Sequence, residues 1–282
     1  MKKGINKHME NTIFNTEMTT NLLPIVPLRG KVAFPHTSIS FEVGRKMTLK
    51  AIDRATNNGD RLVFILSQKQ VEKDEITPDD LYSVGCVAKI KQVAQLTGGA
   101  IRVLCEGLYR AKARAVSVSE ADDCFYGVAD PITVKHGDEV LEEAYFRTAK
   151  ELVKDVFATD GKIPKDTVTK LERIMDADEY IDVALSAMRI RLDVKQAILE
   201  ESRIVERLKH FERCLNDELE IAKIEKKIAN AVRQNIDKNQ KEYYLREQVK
   251  AIHTELGDDV NEEDEYRQKV MEKGLPEDLQ EK

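Results

Sequence analysis

The sequence predicts an α+β protein: a mostly β N-terminal domain, then a small helical bundle that ends in a very long helix. Three observations carry this expectation. Residues 22–134 hold short Val- and Ile-rich runs punctuated by turn residues. Residues 138–201 switch to three-and-four spacing of apolar side chains. Residues 202–256 contain neither Pro nor Gly and keep that spacing throughout.

Residues 1–21 are polar without periodicity and read as a mobile leader. Leu23-Pro24-Ile25-Val26-Pro27-Leu28 reads as an edge strand, because two prolines remove donors that a central strand needs. Ser38 to Val43 alternates Ile39, Phe41 and Val43 with polar residues, the pattern of a half-buried strand. Met47 to Ala55 places its apolar residues on one side of a short helix, stopped at Asn57-Asn58-Gly59-Asp60. Leu62 to Leu66 is a continuous apolar run of strand length, buried on both faces. Tyr82–Leu96 and Ile101–Cys105 meet across Thr97-Gly98-Gly99-Ala100, a hairpin signal because glycine supplies the positive φ of a tight turn. Further strands are expected at Tyr109–Val118 and Cys124–Val134.

Helical spacing begins at Asp138. Pro164 suits a first helical turn, and Asp176 with Glu179 and Asp193 with Gln196 have the offset of N-terminal capping pairs. The long stretch repeats Ile204, Leu208, Phe211, Leu215, then Ile221, Ile224, Ile228, and later Leu245, Val249, Ile252, Leu256. Read as one very long helix or two nearly continuous ones, at about 1.5 Å per residue it would span roughly 80 Å, more than a small domain covers. The expected organisation is therefore a leader over 1–21, a β domain over 22–134, a bundle over 135–201, a long helix or coiled coil over 202–257, and an acidic linker over 258–282 with a weak helical piece at Glu265–Lys273.

Composition narrows the function classes. The chain has 282 residues, 41% apolar and 34% charged, with no apolar run long enough for a membrane span and no apolar core for a secretory signal, so a cytoplasmic location without membrane contact is the expectation. The formal charge of −6 is a tail property, since residues 255–282 carry 11 acidic and 4 basic side chains. Cys86, Cys105, Cys124 and Cys214 lack C-x-x-C or Cys/His spacing and read as buried thiols, and no metal site is legible. No G-x-x-x-x-G-K-[ST], G-x-S-x-G or H-E-x-x-H motif occurs, so neither a cofactor-binding nor a catalytic residue is assigned. Lys223, Lys226, Lys227, Arg233, Lys238 and Lys241 form a basic interval that could meet DNA or RNA, although pairing with Glu220 and Glu225 on a solvated face is favoured.

Leu23-Pro24-Ile25-Val26-Pro27-Leu28-Arg29 followed by Phe34-Pro35-His36 resembles the start of the substrate-binding domain of the ATP-dependent Lon protease family. Val84-Gly85-Cys86-Val87-Ala88 and the run Val103 to Ala111, with its Gly107 and Arg110, are similar to the family's hairpin and V-x-G-x-x-R stretch. Gln240 to Ile252, ending Glu255-Leu256-Gly257, resembles the family's signature on the long helix. The resemblance implies a PUA-like β domain, a helical bundle and a long helix leading into ATPase and Ser/Lys peptidase modules. Neither module matches any position here. ATP and magnesium would serve that parent protein, a hexamer whose N-terminal region recognises unfolded or degron-bearing polypeptides and organises the oligomer.

Thr37, Ser38 and Ser40 depart from the family's apolar tendency after Phe34-Pro35-His36. The substrate-facing candidates are Phe34, Pro35, Phe41 and Leu96, each of which could instead pack inside the β domain. Tyr243 and Tyr244 are candidates for a long-helix contact, since a helix sends adjacent side chains about 100° apart and only one can lie in the apolar stripe. The alternative is a stand-alone scaffold or RNA-binding regulator.

Overall fold

The first strand already shows how the barrel closes. In the computed structural model, which describes residues 22–57, 59–119, 123–160 and 165–256, β1 (Leu22–Leu28) pairs antiparallel with β6 (Cys124–Pro131) from Leu22 to Pro24, then parallel with β3 (Leu62–Ser67) from Ile25 to Leu28. It is thus paired on both sides of the chain, and the expectation of an edge strand is corrected. The prolines are tolerated because the partners change between Pro24 and Ile25, leaving Pro27 opposite one strand only.

The full order is β2-β5-β4-β3-β1-β6, with β6 returning to β5 (Ile101–Ser119) to close the sheet. β2 (Ser38–Val43) pairs with the first part of β5 and, among the described residues, with no other strand. β4 (Val84–Gln95) and β5 form the hairpin expected at the Gly-Gly pair, where Gly98 and Gly99 adopt φ of 84° and 81°. The two expected strands Ile101–Cys105 and Tyr109–Val118 are one 19-residue strand. A register shift at Val87/Ala88 of β4 absorbs the irregularity near Gly107 without breaking the chain. Gly107 lies against the Phe34 carbonyl so closely that a Cβ there would collide with backbone.

The barrel core gathers Val26, Phe41, Val63, Ile65, Cys86 and Ile90 with Ala51, Ile52 and Ala55 of α1 (Lys46–Asn57). All four residues Val63 to Leu66 are buried, as the apolar run demanded. The helices α2 (Glu139–Asp160), α3 (Lys165–Arg173), α4 (Ala177–Ala187) and α5 (Leu192–Glu200) follow, with α6 (Ile204–Glu255) as one 52-residue helix. Asp176 caps α4 by accepting from the Glu179 N–H at 2.8 Å. Asp193 instead lies inside the first turn of α5 and pairs with Arg191, so the second expected cap is not one. Phe146, Val153, Ile181, Leu185, Leu199 and Phe211 build the helical core, which also takes in Val32, Phe34 and Val84 from the β part.

Contacts divide the chain into residues 1–220 and 221–282. On α6 the buried residues are Ile204, Arg207, Leu208, Phe211, Cys214 and Leu215, a three-and-four row. From Lys223 to Leu256 every residue is exposed. The expected leader, Pro164, the acidic linker and the helical piece at 265–273 lie outside the described residues.

Replacing Gly107 by Ala is expected to destabilise the fold by about 1–3 kcal/mol through overpacking against rigid backbone. Gly44→Ala, where nothing lies within 4 Å, should change the urea midpoint little. Equal midpoints for the two variants would refute the close-packing role of Gly107.

Candidate functional site

The residues proposed to face substrate do not assemble into one surface. Phe34 is 1% exposed and enters the helical core, Pro35 is buried, and Phe41 enters the barrel core. Their burial follows from the loop's hydrogen bonds. His36 N–H donates to the Gly107 carbonyl at 3.0 Å, Gly107 N–H to the Thr37 carbonyl at 2.9 Å, and Thr37 Oγ1 to the Phe34 carbonyl at 2.8 Å. Lys170 of α3 adds a bond from Nζ to the His36 carbonyl at 2.7 Å. Polar Thr37 is thus a buried staple, and the loop presents little apolar surface in this conformation. Leu96, half-buried, stands apart at the β4–β5 hairpin.

Tyr243 and Tyr244 are both exposed, and Gln248 Nε2 donates to the Tyr244 hydroxyl at 3.1 Å. Around them Ile221, Ile224, Ile228, Val232, Ile236, Leu245, Val249 and Ile252 are each about half exposed. The lysines of the basic interval are exposed as well, and Lys238–Glu242 at 3.9 Å is their one ion pair among the described residues.

Sequence reasoning missed a buried ionic cluster between the barrel and the helices. Arg110 of β5 donates from Nη2 to Asp178 Oδ1 at 2.6 Å and from Nη1 to the Glu201 carbonyl at 3.1 Å. Arg207 of α6 binds Asp178 and, at 2.5 Å, Asp182, and its Nε donates to the Ile198 carbonyl at 2.9 Å. Arg207 and Asp182 are fully buried and Arg110 is nearly so. Burial pushes the Asp182 carboxyl up to about 6, against the pull of Arg207, and Asp178 adds to the rise. Asp182 Oδ2 has no hydrogen-bond partner, which agrees with desolvation winning there. Arg110 stands in the quoted run from Val103 to Ala111, but the pattern of Arg207 on an amphipathic helix resembled any solvated charge.

All four cysteines are buried, and burial raises the thiols of Cys86, Cys105 and Cys214, the last two to about 12, which disfavours their reactive thiolate form. Among the described residues no three His, Cys, Asp or Glu side chains converge as a metal-binding group, and no helix is long and apolar enough to cross a membrane.

A six-stranded barrel backed by helices and continued by a long helix makes this an α+β chain. The family model for the ATP-dependent protease La (LON) substrate-binding domain matches residues 22–217, and the chain belongs to that family. It is 37% identical over 268 residues to Lon protease of Clostridioides difficile, covering 92% of this chain and 34% of that protein. Lon protease of Escherichia coli K12 is 34% identical, with 92% and 33% covered. The chain thus spans about a third of the length of the curated relatives it matches. The N-terminal domain of a Mycobacterium avium complex Lon protease shares the fold, with a TM-score of 0.58 over 70% of this chain and 98% of that one at 17% identity.

Arg207→Met should cost about 3–5 kcal/mol, because it strands Asp182 in the core, and Arg207→Met with Asp182→Leu should recover part of that loss in urea unfolding. Between about pH 4 and pH 6 the folded chain holds a proton on Asp182 that the unfolded chain has lost. This group's contribution therefore declines as pH rises through that window and is level above it. Asp182→Asn should flatten that segment of the Tm–pH curve, and an unchanged slope would contradict the assignment.

Proposed function

We propose that this chain is the substrate-recognition and oligomer-organising N-terminal region of a Lon-type ATP-dependent serine protease that degrades misfolded and short-lived regulatory proteins. The observation that carries this reading is the match to the substrate-binding family across both the barrel and the helical core. ATP, magnesium and the peptidase residues would be supplied elsewhere in a longer protein working in the cytoplasm. The barrel and helices would capture exposed segments weakly and at several points, so that affinity grows by multivalency. The half-exposed isoleucines of α6, with Tyr243 and Tyr244, would meet other copies in the oligomer.

Purified residues 1–282 should bind a permanently unfolded, cysteine-alkylated protein and hydrolyse neither ATP nor peptide bonds. Measurable ATPase activity, or salt-dependent RNA binding without affinity for unfolded protein, would reject the reading. Replacing Ile224 and Ile228 together by Asp should reduce self-association in sedimentation equilibrium and leave the Tm of the 1–220 unit unchanged. Unchanged association would remove this face of α6 from the oligomer contact.

A further inference from the structure

We propose that the free edge of β2, with the cationic cleft beside it, is a docking seam for an extended acidic stretch of polypeptide, taken up as an additional strand. The inference rests on the capture reading above and adds the backbone geometry and charge of what is captured.

The seam follows from the pairing of the barrel. Among the described residues β2 has β5 on one side and no strand on the other. β1 leaves β6 after Pro24, so from Ile25 to Leu28 it is paired only with β3. A cleft of about 440 Å³ lies against both strands, lined by Leu28 of β1, Phe41 of β2, three cations, Arg29, Lys31 and Arg45, and two carboxylates, Glu42 and Asp74.

The edge is chemically open. Gly107 N–H bonds the Thr37 carbonyl, in step with the β2–β5 register, so by alternation Ile39, Phe41 and Val43 turn their backbone groups toward β5. Ser38, Ser40 and Glu42 turn theirs outward, and all three residues are exposed. The outward direction is confirmed at Ser40, whose carbonyl accepts from Lys31 Nζ at 3.0 Å.

Charge selects the occupant. Arg29 is paired with Asp74 at 2.6 Å and Glu42 with Arg102 at 2.7 Å, so these carboxylates are already engaged. Lys31 and Arg45 have no carboxylate within ion-pair distance among the described residues. Arg45 is held by two neutral acceptors, Gln68 Oε1 at 3.0 Å and the Lys73 carbonyl at 3.1 Å. Partial burial, then Arg29 nearby, lowers its pKa, and the Asp74 carboxylate, already bonded to Arg29, offsets only part of this. Lys31 guards the edge in the manner of an edge-strand lysine. A neutral strand would displace its ammonium from Ser40 and leave it without a counter-charge, whereas a strand bearing a carboxylate gives it a new partner. A second copy pairing edge to edge would bring two Lys31 ammoniums together.

The test uses the full chain and a fluorescein-labelled ten-residue peptide of alternating Glu and Thr with blocked ends. Its twins carry Lys in place of Glu, or N-methyl groups at every second residue. The acidic peptide should bind at least 10-fold tighter than the Lys twin and weaken with salt. Ser40→Pro should weaken it about 2- to 10-fold, one outward hydrogen bond's worth, and N-methylation, which removes every second donor along the peptide, should weaken it by at least as much. Ser40→Pro deletes an N–H that faces away from β5, so the ladder is kept; should that variant fail to fold, the N-methylated twin decides. Equal binding of the Glu and Lys peptides, or no effect of N-methylation, overturns the seam. Binding of unfolded protein with no peptide binding would reject the seam and leave the capture reading intact; loss of both would reject both.

Discussion

The arrangement of the barrel against the helices depends on one buried ionic cluster. Removing two guanidiniums and two carboxylates from water costs several kcal/mol per ion unless every group is met. All but Asp182 Oδ2 are met here, and only when β5, α4 and the first turns of α6 are in place together, with the end of α5 supplying the Ile198 carbonyl and the Glu201 carbonyl following it. Apolar residues of the same volume would hold the elements about as tightly, but with less demand on their orientation. The consequence of the cluster is geometric: sliding any one element breaks a charge pair in a dry interior.

That constraint reaches the surface. Gln196 of α5 donates to the Val84 carbonyl at 2.8 Å, and Phe34 inserts from the β1–β2 loop into the helical core. With Phe34 anchored and Gly107 pressed on its carbonyl, the loop cannot drift, and β2 is held at the rim with its outer edge open. Phe34, one of the substrate-facing candidates, thus anchors the loop in this conformation, and the exposed groups beside it include the Ser40 carbonyl and the Lys31 ammonium.

The hairpin at Gly98-Gly99, the buried run at Val63–Leu66, the cap at Asp176 and the helical character of residues 204–255 were legible in the sequence, because each rests on a local rule about φ, burial, periodicity or end groups. What was not legible depends on partners distant in the chain. Prolines 24 and 27 suggested an edge, since nothing local announces that β1 exchanges β6 for β3 midway. Phe34 and Phe41 carry the same apolar label whether they face a ligand or two different cores. Arg207 differs from its solvated neighbours only through Asp178 and Asp182, more than twenty residues earlier. The family resemblance supplied the function class, which spacing alone does not.

The most direct measurement of this account is native-state hydrogen exchange on the whole chain. If the ionic cluster ties barrel and helices into one cooperative unit, the slowest amides of β3 and β4 should open with the same free energy as those of α4 and of α6 from Leu208 to Leu215, and residues 223–255 should exchange faster. Helical amides opening several kcal/mol more easily than the strands would show that the barrel and helices unfold separately, and would contradict the cluster's role as the constraint on the fold.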